Sequence, residues 1–111
     1  MPQMPVSMPN SFGNLCAGDT LEQVVEKTFV ANQGSLQKTY QRLDKEKISK
    51  AVDILRDSER VLCLGQGNHS IIAKAAWARF STVSPRFYTT DDSHLQALAA
   101  ATMTKKDVLL F

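Results

Sequence analysis

Cysteine is scarce in this sequence: Cys16 and Cys63 are the only two, and they offer neither a disulfide framework nor a metal-binding spacing. Cys63 lies in the apolar run Val61-Leu62-Cys63-Leu64 and reads as a small core residue. Neither His69 nor His94 stands at ligand spacing from a cysteine, so no metal or other cofactor is expected. Charge of one sign is lacking as well. The formal net charge of +2 is too small for the basic stripe of nucleic-acid contact. Lys45, Lys47, Lys50, Arg56 and Arg60 alternate with Asp44, Glu46, Asp53, Asp57 and Glu59, the pattern of a solvated helix face. Long apolar runs are missing too, and nothing approaches the roughly 18 residues of a membrane span. The opening MPQMPVSMPN has neither a basic leader nor an apolar core, so it is not a signal peptide, and the cytoplasm is the expected address.

What remains is an ordinary globular composition, 43% apolar and 22% charged over 111 residues, enough for one domain. Residues 1–18 carry Pro2, Pro5 and Pro9 without sustained periodicity and read as a disordered leader. Order is expected from Asp19. Thr20 and Gln23 form a capping box, and Leu21, Val25, Phe29, Leu36, Tyr40 and Leu43 make one stripe on a helix of about six turns. Gly34 interrupts it at roughly 1 kcal/mol against alanine, so packing must support the helix there or it bends. Asp44 caps a second helix with Ile48, Ala51, Val52 and Leu55 on its inner face, ending near Asp57-Ser58. Residues 19–58 thus read as a helical connector.

From residue 59 the pattern changes. Val61 to Leu64 suits a strand buried on both faces. A helix from about Ser70 to Phe80, a strand over Arg86–Thr89, a helix from Ser93 to Thr102 and a strand over Val108–Phe111 follow with short links. Alternation of this kind predicts an α/β fold, a three-layer α/β/α arrangement around a parallel sheet. Such sheets bind ligands at the carboxyl ends of their strands. The loop GQGNHS, Gly65 to Ser70, stands there. Its glycines let backbone approach an anion, and the helix beyond offers N–H groups and a positive dipole end. His69 and Ser70 can add side-chain donors; with a protein of this loop type, a mere tight turn is the competing reading. A dinucleotide site would want a third small residue where Ser70 stands and an acid closing the second strand, for which Asp91 or Asp92 could serve. Asp92 and His94 either line the crevice or merely cap and open the following helix, and Gln96 pairs with Ser93 as a second capping box.

Taken in order, three features carry a resemblance over Asp19 to Phe111: Thr20-Leu21-Glu22 with Leu43-Asp44 and Ala51-Val52-Asp53-Ile54-Leu55; the glycine loop with Ala73-Lys74 and Trp77 behind it; and Asp92-Ser93-His94-Leu95-Gln96 followed by Ala99-Ala100-Ala101 and Lys106-Asp107-Val108. The set resembles the sugar isomerase (SIS) domain of RpiR-type bacterial transcription regulators, with residues 59–111 as its first part. The resemblance implies a domain that binds a phosphorylated sugar effector and dimerises, with no catalysis. Gly65, Gly67, Asn68, His69, Ser70, Asp92 and His94 are its candidate ligand contacts. The family usually has serine where His69 stands. In that family DNA is contacted by a helix-turn-helix domain; none is expected here, since only the leader precedes Asp19, and the Ser/Thr-rich loop that wraps the phosphate would follow Phe111. A sugar-phosphate isomerase-like enzyme and a dinucleotide-binding fragment are the alternatives. The implied strand order puts the first strand between the second and third, leaving Val108–Phe111 an open edge that recruits other chains.

Overall fold

The structure, a computed structural model, describes residues 14–111; most of the expected leader, residues 1–13, lies outside the described residues. The chain divides after Asp44 into two units.

In the first unit the chain turns at Cys16, whose backbone N–H donates to Asp19 Oδ2 at 2.8 Å. Lys27 Nζ donates to Asp19 Oδ1 at 2.8 Å and to the Asn14 carbonyl at 3.2 Å. The hydrogen bond from Lys27 holds the Asp19 carboxyl below its ordinary value. Helix α1 spans Leu21–Arg42. It opens with the expected capping box: Gln23 N–H donates to Thr20 Oγ1 at 3.2 Å and Thr20 N–H to Gln23 Oε1 at 2.8 Å. Glu22 in the first turn and Arg42 in the last complement the helix dipole. The helix runs unbroken through Gly34, around which a Cβ would meet nothing within 4 Å. No residue of α1 is buried, and its stripe is open, with Leu36 72% exposed. Among the described residues nothing packs on Gly34, and local terms carry the helix there.

The second unit is built on three parallel strands, β1 (Arg60–Cys63), β2 (Phe87–Thr89) and β3 (Asp107–Leu110), in the order β2-β1-β3. Val61 pairs with Phe87 on one side and Val108 on the other, so β1 is bonded along both edges. Parallel neighbours need crossovers, supplied by α3 (Asn68–Phe80) and α4 (Ser93–Ala101); α2 (Lys45–Asp57) leads in. The expected α/β fold and strand order are present. Val61 and Cys63, fully buried, point to one face and pack with Ala73 and Ala76 of α3, Leu55 of α2, Phe87 and Val108. Phe80 stacks on Phe87 at 5.0 Å between ring centres. Leu62, equally buried, points to the other face. There α4 lies over Arg60 and Tyr88, presenting Leu95, Leu98 and Thr102.

Two differences from the expected pattern have clear causes. Of the predicted inner face of α2, Ile48, Ala51 and Val52 are exposed and only Leu55 reaches the core. Helix α3 starts at Asn68 instead of Ser70 because the glycine turn ends earlier. The end of α2 is tied down by a residue far along the chain. Arg86 Nη1 donates to the Arg56 carbonyl at 2.9 Å and to the Ser58 carbonyl, while Ser58 Oγ donates to the Leu55 carbonyl at 2.7 Å. Arg86 thus satisfies carbonyls that the helix itself leaves open.

Two substitutions check this account. Gly34→Ala, made in open space on a helix without tertiary support, is expected to stabilise α1 by about 1 kcal/mol, seen as higher helicity in thermal circular dichroism. Arg86→Ala leaves helix-end carbonyls unpaired and is expected to lower the stability of the second unit by about 1.5–3 kcal/mol, read from the urea midpoint.

Candidate functional site

The carboxyl end of β1 opens directly into the glycine loop. Leu64 extends the ladder by one bond, donating its N–H to the Leu110 carbonyl at 3.0 Å. Gly65 is buried, and a Cβ on it would sit 2.5 Å from the His69 carbonyl oxygen, so only glycine lets the first turn of α3 come this close to the strand. Gly67 has φ 57° and ψ −128°, and His69 N–H donates to the Gln66 carbonyl at 3.0 Å. This is a type II′ turn with glycine at its first central position, as that turn demands.

The turn partly uses up the donors expected of the helix N-terminus. The N–H groups of His69 and Ser70 bond back to Gln66 and Gly67, and Ser70 Oγ also donates to the Gly67 carbonyl at 2.7 Å. The N–H groups of Gln66, Gly67 and Asn68 remain as those that could meet an anion. Beside the turn lies a cavity of about 540 Å³. Gly65, Gln66 and His69 of the loop line it together with the apolar Leu64, Ile72, Ala73, Ala76, Leu110 and Phe111. Of the candidate contacts, Gly65 and His69 therefore share the cavity, and Gly67, Asn68 and Ser70 stand in the adjoining turn. Asp92 and His94 are not part of the lining. Asp92 is the N-cap of α4, accepting from Leu95 N–H at 3.0 Å, and His94 is exposed in its first turn.

Gln96 does not pair with Ser93. It is buried, and its Nε2 donates to the carbonyls of Gly65 at 2.9 Å and Thr90 at 2.8 Å, while Gln66 Nε2 donates to its Oε1. It joins the loops after β1 and β2. The sequence marked it as a capping partner and as the end of the Asp92–Gln96 stretch, and nothing there pointed to the Gly65 and Thr90 carbonyls. Thr89 Oγ1 adds a bond to the Cys63 carbonyl at 2.8 Å. Across the rim, Lys74 Nζ pairs with Asp91 Oδ2 at 3.0 Å, and that hydrogen bond holds the Asp91 carboxyl below its ordinary value.

Because Asp91 is lowered in the folded state, the pair contributes fully above the ordinary carboxylate range and is lost as pH falls through the folded value. NMR titration of the Asp91 carboxyl should give a midpoint below that of free aspartate, and Lys74→Gln should raise it towards the ordinary one. An unchanged midpoint in the variant would show that the pair does not form in solution.

No family model matches the chain. It is 23% identical over 99 residues to an HTH-type transcriptional regulator of Thermotoga maritima, covering 89% of this chain and 35% of that protein. It is 26% identical over 97 residues to the HTH-type transcriptional regulator HexR of Escherichia coli, covering 87% and 34%. It is also 27% identical over 104 residues to the bifunctional protein glk of Burkholderia thailandensis, covering 94% of this chain and 16% of that one. The chain thus spans about a third of the length of the regulators it matches. Over most of its own length it is similar to one segment of bacterial HTH-type transcriptional regulators.

Proposed function

We propose that this chain is the effector-binding part of a transcription regulator and that its ligand is a phosphorylated sugar. The observation that carries the reading is the type II′ turn at the carboxyl end of the central parallel strand, next to a cavity that Gly65, Gln66 and His69 help to line. A monoester phosphate would accept from the N–H groups of Gln66, Gly67 and Asn68, with His69 as a side-chain donor. The sugar would extend along the cavity, its hydroxyls meeting Gln66 and its C–H face meeting Leu64, Ala73 and Ala76. The likeness to HTH-type regulators supports the regulatory setting.

The reading is one of binding without turnover. His69 is the titratable side chain on the cavity, while Asp92 caps a helix and His94 stands outside the lining. A dinucleotide fits less well, because of the two acids that could meet a ribose Asp91 is engaged by Lys74 and Asp92 caps α4. DNA would be contacted by a helix-turn-helix domain elsewhere in a longer protein. A homodimer is part of the same proposal. The α1 stripe of Val25, Phe29, Leu36 and Tyr40 is exposed. No helix among the described residues is long and apolar enough to cross a membrane.

A panel of sugar phosphates, the matching free sugars and NAD, followed by thermal shift and isothermal titration, tests the reading. One phosphosugar should saturate and, at a hundred times its Kd, stabilise the fold by about 2.7 kcal/mol. Its unphosphorylated form should do nothing. Absence of any phosphosugar response, or a response to NAD alone, overturns the proposal.

A further inference from the structure

Gln96 is a buried neutral side chain with every arm of its amide engaged by the rim. Carbonyl oxygens can only accept, so the bonds to Gly65 and Thr90 fix which end of the amide faces them. The oxygen is then left for Gln66 Nε2. The Gly65 carbonyl is thereby aimed at Gln96. In a planar trans peptide the next N–H points the opposite way, so Gln96 also sets the direction of the Gln66 N–H, one of the three donors left for an anion. The same amide holds Thr90, two residues before the N-cap of α4. Gln96 sits on α4 itself, at the fourth position of the helix.

We propose that Gln96 is a positioning residue for the rim site: it orients the Gly65–Gln66 peptide towards a bound anion and transmits occupancy of the turn to the loop after β2 and the head of α4. This rests on the reading of the rim as a phosphosugar site. Any reorientation of the Gly65–Gln66 peptide must break or drag the Gly65 bond. Gln96 cannot follow without disturbing Thr90, since one amide nitrogen serves both carbonyls. The device is neutral and buried, so ions in solution do not screen it.

The test follows backbone 15N–1H shifts of the whole chain titrated with inorganic phosphate and with glucose 6-phosphate, or with the best phosphosugar of the panel. In the wild type, ligand should move Gln66–Asn68 and also Thr90–Asp92. In Gln96→Met, which keeps the volume and removes the amide, the response at Thr90–Asp92 should fall at least fivefold. Affinity should drop about tenfold, with the Val61–Cys63 amides unmoved. Gln66→Ala, which removes the partner of the Gln96 oxygen and keeps the bonds to Gly65 and Thr90, should reduce the distant response only in part, and it stands in if the methionine variant does not fold. Ligand binding with an undiminished response at Thr90–Asp92 in both variants overturns the role of Gln96 and leaves the ligand reading intact. No response of the wild type to any phosphate ester overturns the ligand reading, and the positioning role falls with it.

Discussion

The second unit depends on the complete enclosure of β1. Its backbone is bonded to β2 on one side and β3 on the other, and Val61, Leu62 and Cys63 have no exposed surface. A strand so placed has no freedom to slide, because a shift of one residue would exchange the faces of Val61 and Leu62. Burial also pushes the Cys63 thiol up, which keeps it inert. The strand's end at Leu64 is consequently fixed, and the turn that follows inherits that fixity. Gly65 admits the first turn of α3 against the strand, and Gly67 reverses the chain into the helix. A backbone cradle for an anion has value only if its N–H groups are held in place before the ligand arrives.

The first unit works by a different balance. Helix α1 buries no residue, so hydrophobic burial contributes little to it. Its order comes from the Thr20–Gln23 capping box, the Lys27–Asp19 pair that anchors the preceding turn, and helix propensity. The capping box alone is worth about 1 kcal/mol. An apolar stripe left open on such a helix is the reason to place a partner there in the proposed assembly, since a fold that exposes Phe29 and Leu36 together leaves area to cover.

What could be read from the residues themselves was what is local. The capping box of Thr20 and Gln23, the alternation of strands and helices and the N-cap by Asp92 follow from residues within a few positions of one another, whereas the order with β1 in the centre came with the family resemblance. What escaped was long in range or sterically subtle. Arg86 reaches carbonyls 28 and 30 residues earlier, and Gln96 reaches Gly65 across 31. No periodicity announces either. The inner face of α2 was overestimated because amphipathic spacing states which residues can face a core, and not how far the sheet extends beneath them. At the candidate site, the glycine loop was legible as a tight turn between β1 and α3. Its type, which consumes the donor of His69, rests on the φ and ψ of Gly67 and the bond from His69 back to Gln66.

Two ties connect the β1–α3 side of the rim to the β2–α4 side, and they differ in kind. The Lys74–Asp91 pair is exposed on both partners, 56% and 60%. Solvent and salt weaken it, and acid removes it as Asp91 is protonated. The Gln96 bonds are buried and carry no net charge, so neither salt nor mild acid reaches them. Salt and acid therefore loosen one tie between the two sides of the rim and spare the other.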